Sequence, residues 1–360
     1  MRSSIAACAV LLAGAFGFAG AASAQFYADK TVTMLVNYPA GGPSDIEARV
    51  VARFLGDHIP GKPTVIVKNM PGAGGLIATN YMGEIVPDDA TQLAFFTWNP
   101  MTQILSDPGL RVGYDKFQMV AGFEQPAIVY VRKDVAPGME KPQDLLKAGS
   151  FKVGALAPNT HTTLRVGLAL DLLGLDFEMV SGYRGLKDVE TAVLQNEVQA
   201  AASSIAGYRG SIEPTMVKDG VVIPAFHFDV EDANGKLGPS PAFSEVPTFL
   251  QLYREKNGSD AMPSGEKWES LRLISSIMDS VYRTVFLPPK ASSEAVADMR
   301  KAFEELQSDQ AFVEAYTKTV GTPPGIVSGA QAEKVVRQLG TVDPAVSRFL
   351  AGYVQELSKN

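Results

Sequence analysis

The sequence predicts an α/β protein of two domains with mainly parallel sheets. Three observations carry this. Short apolar, β-branched runs alternate with amphipathic helical stretches, as strands covered by helices should. The opening order of strand, small-residue loop and helix occurs twice, near residue 31 and again near residue 151. The length, 360 residues, suits two cores, and Cys8 is the sole cysteine, so no disulfide framework supports the fold.

The elements follow in order. "TVTMLVNY" (31–38) reads as a buried strand, and the loop "NYPAGGPSD" (37–45) follows it. Ile46, Val50, Phe54 and Ile59, with Val51 and Leu55, then mark a helical face. Ser44 and Glu47 have the spacing of a capping box at its start. "TVIVKN" (64–69), the loop "NMPGAGG" (69–75), a helix over 76–86 and the strand "LAFFTW" (93–98) complete a βαβαβ series. The second series runs through "FKVGAL" (151–156), a helix over 161–173, "FEMVSGY" (177–183), a helix over 186–196, "VQAAASSI" (198–205) and "VVIPAFHF" (221–228). A helix-rich tail containing "YRTVFLPP" (282–289) closes the chain.

The first 24 residues read as a secretory leader. Arg2 precedes the Ala-, Leu- and Gly-rich run 5–20, and "ASA" (22–24) places cleavage after Ala24. The loose lipoprotein-like "IAAC" (5–8) has too short an apolar run before Cys8 to serve as an anchor. The leader makes the protein an exported, periplasmic one. Cysteine chemistry is excluded once Cys8 is removed with it. The formal net charge of −7, one unit more negative without Arg2, argues against nucleic acid as a partner.

The chemistry of anion binding is present twice, and that of catalysis is not. Gly41 and Gly42 let backbone turn ahead of a helix whose free N–H groups and dipole attract an anion, although many such loops bind nothing. Gly72, Gly74 and Gly75 repeat the arrangement on the next strand, and loops at strand carboxyl ends line ligand crevices in open α/β sheets. Neither loop has Walker or dinucleotide glycine spacing. "PNTHTT" (158–163) offers Asn159 or Thr160 as an N-cap, with His161 and Thr162 in the first turn; plain capping competes with carboxylate binding there. The three histidines are too far apart for a local metal motif, no G-x-S-x-G elbow occurs, and no cofactor is indicated. Arg165 and Arg184 either reach the crevice or face water, and Trp98 either narrows the pocket or fills the core.

Five motifs in order give a family likeness: "YPAGGPSD" (38–45), "VIVKNMPGAGG" (65–75), "APNTHTT" (157–163), "SGYRG" (181–185) and "SPAFSEVPTF" (240–249). The chain resembles the extracytoplasmic receptors of tripartite tricarboxylate transporters, the Bug-type receptors. The resemblance implies a periplasmic-binding-protein-like fold of type II, a Venus flytrap. Two crossing strands, near 127–132 and 221–228, would join its domains. Domain 1 would comprise 25–126 and 229–360, and domain 2 would comprise 127–228. It implies a monomeric receptor, not an enzyme, that hands a small organic anion to a membrane permease. The ligand-binding residues it implies are Tyr38, Ala40, Gly41, Gly42, Ser44 and Asp45, then Gly74 and Gly75. Across the cleft they are Asn159, Thr160, His161 and Thr162, with Tyr183 and Ser203. Asp45, an anion itself, is read as shaping the loop or holding a water. Arg184 departs from a lysine common at that place. The rival readings are an exported hydrolase using Ser44 or Ser203 with His161, and a binding protein serving a sensor kinase.

Overall fold

The computed structural model describes residues 27–231 and 235–359; the leader, its cleavage site and Cys8 lie outside the described residues. The first sheet contains β1 (Thr31–Val36), β2 (Thr64–Asn69), β3 (Gln92–Thr97), β4 (Gln118–Phe123), β12 (Arg283–Leu287) and β13 (Ile326–Ser328). Their order is β13-β4-β12-β3-β1-β2. The second contains β5 (Ala127–Arg132), β6 (Phe151–Gly154), β7 (Phe177–Val180), β8 (Ala200–Ser204) and β9 (Val222–His227), ordered β7-β6-β8-β5-β9, and a two-stranded ribbon pairs β10 (Val230–Glu231) with β11 (Leu237–Gly238). In each sheet the βαβ units supply the parallel pairs: β2 and β3 on β1, and β7 and β8 on β6. The remaining pairings are antiparallel. β12 arrives from the C-terminal helices and inserts between β3 and β4, and β5 and β9 run side by side. The chain passes from β4 to β5 through 124–126.

Helices α1 (Pro43–Leu55) and α2 (Leu76–Glu84) follow β1 and β2, and the short α3 (Pro100–Ile104) follows β3. Helices α4 (His161–Leu172) and α5 (Leu186–Leu194) follow β6 and β7. The tail is helical through α6 (Phe249–Asn257), α7 (Glu266–Ser280), α8 (Ser293–Ser308), α9 (Gln310–Val320), α10 (Gly329–Gln338) and α11 (Pro344–Leu357). Side chains alternate across β3. Phe95 meets Phe123 edge-on at 5.3 Å on one face, and Phe96 meets Phe286 at 5.1 Å on the other. The first sheet is therefore buried on both faces, which explains its near-continuous apolar strands. Asp171 on α4 accepts hydrogen bonds from Lys267 on α7 and Tyr353 on α11, both at 2.9 Å, fastening the tail to the second sheet's helix.

The start of α1 differs from expectation. Its N-cap is Gly42 with no side-chain cap, and Ser44 and Glu47 both turn inward. The buried face is Ser44, Glu47, Ala48, Val51, Ala52 and Leu55, while Ile46, Val50 and Phe54 are half-buried. The expected helical face is thus rotated, because Glu47 has a buried cationic partner described below. "SPAFSEVPTF" packs on β9, where the Ser240 N–H donates to His227 Nε2 at 3.0 Å. That bond requires Nε2 to be unprotonated. Burial pushes the His227 pKa down to about 4, against the opposing pull of Glu245.

A proton is thus bound by His227 in the unfolded chain near pH 6.5, but in the folded chain only near pH 4. This residue's share of stability falls as pH drops through that window. His227→Gln keeps an acceptor for Ser240 and cannot titrate. Denaturant titrations from pH 7 to pH 4.5 are expected to show the wild type losing stability relative to the variant, by up to about 1.4 kcal/mol per pH unit. Parallel pH profiles would refute the assignment.

Candidate functional site

The carboxyl ends of β1 and β3 are locked together by Asn37. Its Nδ2 donates to the Thr97 carbonyl at 2.9 Å, and its Oδ1 accepts the Thr97 N–H at 3.1 Å. Gly75, at φ +95°, leaves room for this. A Cβ there would lie 2.4 Å from Asn37 Nδ2. The second glycine loop therefore serves the first, and the Tyr38 hydroxyl joins them by donating to the Gly74 carbonyl at 3.2 Å.

Asp45 also acts on the loop. Its carboxylate accepts from Gly41 N–H (2.8 Å), Asn69 Nδ2 (3.0 Å) and Arg49 Nε (2.9 Å). Burial works against ionisation, yet these donors hold the carboxyl below its usual range. Ala40 and Gly41 lie exposed, outside the cavity that the loop borders.

That cavity, about 20 Å³, lies between the sheets. Tyr38, Gly42, Ser44 and Thr97 line it from the first sheet's side, and Leu156, Thr162, Gly185 and Lys187 from the second's. Arg283 and Tyr282 complete it. Arg283 was missed from the sequence. It is buried, with Nε donating to Glu47 Oε2 at 2.8 Å, Nη1 donating to Thr97 Oγ1, and Nη2 3.4 Å from Ser204 Oγ. Glu47 is fully buried and also accepts from Tyr316 (2.6 Å) and Gln125 (3.1 Å). Ser44 Oγ is 2.7 Å from Thr97 Oγ1. The signal available was "YRTVFL", an arginine inside an apolar strand, paired with an acid on a helix's inner face.

A second cavity of about 10 Å³ shares the Thr162 and Tyr282 walls and adds His161, Arg165, Ser203 and Phe228. Each space has room for about one water molecule. Burial, then Arg165 and Arg283, push the His161 pKa down to about 3, so its ring is neutral. The His161 backbone N–H donates to Asn99 Oδ1 at 3.3 Å, while Asn99 Nδ2 donates to the Asn159 carbonyl at 3.1 Å. Asn159 Nδ2 donates to Asp107 at 2.6 Å, and Thr160 caps α4 through Thr163 N–H.

Several residues named from the sequence do not line these two cavities. Tyr183 directs its hydroxyl to Glu197 at 2.7 Å, because the turn at Gly182 carries it outward and Gly185 to Lys187 face the cleft instead. Arg184 is exposed beside Asp188. Trp98 fills the core, its Nε1 donating to the Val281 carbonyl at 2.7 Å and its ring edge-on to Tyr114. A larger cavity of about 510 Å³ lies by the 124–126 crossover and α7, but Glu124, Asp229, Glu231 and Asp279 line it against one cation, Arg272. Like charge makes it unsuited to an anion.

Two mixed sheets, with a cleft between them at strand carboxyl ends, define a two-domain periplasmic-binding-protein fold. Solved structures share it. BugD superposes with a TM-score of 0.67 at 16% identity, over 91% of this chain and 98% of that one. MatC of Rhodopseudomonas palustris, solved with malate, gives 0.63 at 18% over 91% and 99%, and an R. palustris protein solved with adipate gives 0.67 at 16% over 91% and 98%. In sequence, the chain is 39% identical to BugT of Bordetella pertussis over 90 residues, 25% of this chain and 27% of BugT. It is 28% identical over 211 residues to a UPF0065 protein of Cupriavidus necator, 57% of this chain and 62% of that one. The chain thus spans less than two thirds of either relative's length. No family model matches. These similarities bear out the resemblance to Bug-type receptors carried by the five motifs.

Removing one member of the buried pair tests the site's foundation. Glu47→Ala leaves Arg283 charged without its carboxylate, and urea denaturation is expected to show a loss of about 3–5 kcal/mol. A loss under about 1 kcal/mol would mean that water or Ser204 replaces the carboxylate.

Proposed function

We propose that this chain is a periplasmic solute-binding receptor that captures a small organic anion in the interdomain cleft and delivers it to a membrane permease of the tripartite tricarboxylate type. The observation that carries this reading is the convergence of Arg283, Ser44, Thr97 and the N-terminal end of α1 on one space between the sheets. A carboxylate there meets a guanidinium and a hydroxyl away from bulk water, where such bonds are strongest. Burial pushes the Tyr38 pKa up, so its phenol stays protonated and keeps its bond to the Gly74 carbonyl.

The lobes are 25–126 with 229–360, and 127–228, hinged at 124–126 and after β9. No helix among the described residues is long and apolar enough to cross a membrane, in keeping with a receptor released by its leader. The chain acts as a monomer and needs no cofactor.

Binding rather than hydrolysis fits the side-chain geometry. Ser44 Oγ is bonded to Thr97, and His161 Nε2 is engaged with Thr162 Oγ1 at 3.1 Å. With its pKa near 3, His161 is a poor general base at neutral pH.

Thermal unfolding of 25–360 after removal of co-purified solute, with mono-, di- and tricarboxylates, tests the reading. A ligand at about 100 times its Kd adds roughly 2.7 kcal/mol, several degrees in Tm. Indifference to every acid, together with esterase turnover abolished by Ser203→Ala, would replace receptor by enzyme.

Closure has its own test. Gly185 is extended, at φ −168°, so Ala fits its backbone, but a Cβ there would lie 2.8 Å from Pro39 Cδ across the cleft. Gly185→Ala is expected to weaken calorimetric ligand affinity at least about tenfold, with little change in the free protein's Tm. Unchanged affinity would mean that the lobes do not close at this seam on binding.

A further inference from the structure

The cavity of about 510 Å³ beside the crossover has no part in the anion cleft, yet it has the volume of a ligand site. Both passages between the sheets border it, Glu124 to Pro126 on one side and Phe228 to Val230 on the other. The ribbon of β10 and β11 and one face of α7 complete this hinge cavity. Its walls join acids to aromatic rings. Four acids stand against Arg272 there, beside Phe228, Phe249 and Trp268.

The acids carry more negative charge than their surroundings answer. Asp279 gives Oδ1 to Arg165 at 3.1 Å. Asp229 accepts the Leu250 N–H at 2.9 Å, and among the cations Arg254 draws on it. Glu124 has no hydrogen bond or ion pair among the described residues. Burial raises all three carboxyls, and the charges of Asp229 and Glu124 help lift Asp279 to about 6 against the pull of Arg165. A cation relieves such repulsion, and an anion adds to it.

The rings point the same way independently of the acids. Trp268 is half-buried and stacks on Phe249 with ring centres 6.1 Å apart, so the pair forms a broad aromatic wall. The faces of such rings attract cations, that of Trp most strongly. The fold already uses this combination once. On the cleft side of the same wall, Phe228 and Asp279 together hold the Arg165 guanidinium, at 4.1 Å from the ring centre and 3.1 Å from the carboxylate. Among the described residues no three acidic or histidine side chains converge as metal ligands do. The negative charge is spread around a volume, which suits an extended organic cation better than a bare metal ion.

We propose that the hinge cavity is a second ligand site, separate from the anion cleft, that takes a small organic cation of ammonium or guanidinium type between Trp268 and the carboxylates of Glu124, Asp229 and Asp279. This site goes beyond the receptor reading and does not depend on it.

Calorimetry on 25–360 with choline, cadaverine and propylguanidinium tests it, with dimethylbutanol, pentanediol and propylurea as their neutral counterparts of like shape. The titrations are run at about 0.15 M salt, where diffuse attraction to an acidic surface is screened. At least one cation is expected to bind saturably, one per chain, and at least about tenfold tighter than its counterpart. Glu124→Gln removes a charge at a side chain with no bonds to lose, and Trp268→Leu removes the wall. Each is expected to weaken the cation about threefold or more. No saturable cation binding, or equal binding of cation and counterpart, overturns the proposal on the wild type alone. Binding that folded E124Q and W268L both leave unchanged overturns it as well, because the cation then sits elsewhere. Carboxylate titrations of the same samples keep the two readings apart. A bound cation with no bound acid supports this site and counts against the receptor reading, and bound acids with no bound cation do the reverse.

Discussion

The ion pair between Glu47 and Arg283 is the constraint on which the rest of the cleft depends. Neither side chain has access to solvent, and taking two such charges out of water costs several kcal/mol each before their attraction returns any of it. The pair persists because each charge has further hydrogen-bond partners. Tyr316 on α9 and Gln125 in the crossover donate to the carboxylate, while Thr97 and Ser204 take two more N–H groups of the guanidinium and leave two for the cleft. Gln125 also accepts the Ala206 N–H at 3.3 Å, beyond the end of β8. One network therefore touches the first helix, the inserted strand, the crossover and the carboxyl end of the second sheet's central strand, β8. Any change in the angle between the sheets must be felt at Arg283, because its outer nitrogen already leans on the second sheet's Ser204.

Small residues and one asparagine also meet at the seam between the sheets. Asn99 clamps the start of α4, Gly185 lies against Pro39, and Gly207 lies against Pro43, where a Cβ would be 2.5 Å from Pro43 Cγ. The two neutral hydrogen bonds of Asn99 contribute about 1 kcal/mol each, and the glycine approaches are van der Waals contacts. Their sum is comparable with what a ligand's differential affinity can supply, which is what a ligand-dependent equilibrium between open and closed forms requires. Hydrophobic burial does the opposite work at the back of the molecule, where α7 and α11 cover α4.

Much of this was legible in the sequence, and the misses share a cause. The strands β1 and β2, the helix from His161 and the two glycine loops announce themselves through local chemistry: β-branched runs, an N-cap threonine, and small residues at strand ends. Glu47 did not, because Ser44-x-x-Glu47 satisfies a local capping rule and only a partner 236 positions away overrides it. The burial of Trp98 was equally invisible, since its place depends on Val281 and Tyr114. The same is true of β12, whose position between β3 and β4 reverses the strand direction that the βαβ pattern leads one to expect. Gly75 was noticed for a correct reason, a need for close approach, but what approaches it is Asn37. Tyr183 shows the limit of motif transfer, since a single left-handed glycine, Gly182 at φ +107°, decides which way it faces.

For a protein with a net charge of −7, the proposed capture of an anion is a matter of where each acid is placed. Arg283 stands between the cleft and Glu47, which lies in the core. Arg165 stands between the cleft and Asp279, which belongs to the hinge cavity. In both pairs the guanidinium faces the ligand space and the carboxylate faces away. At separations of about 4 Å and an effective dielectric near 20, a unit charge is worth roughly 4 kcal/mol, and the nearer charge of each pair dominates. The acids stop the arginines from being isolated charges in the fold without cancelling them at the cleft. Burial raises the Asp279 pKa to about 6 against the pull of Arg165, so that acid's countercharge itself weakens as the medium is acidified. The surface can then remain acidic, because the field a solute meets is set by these two oriented pairs and the N-terminal ends of α1 and α4 rather than by the total charge.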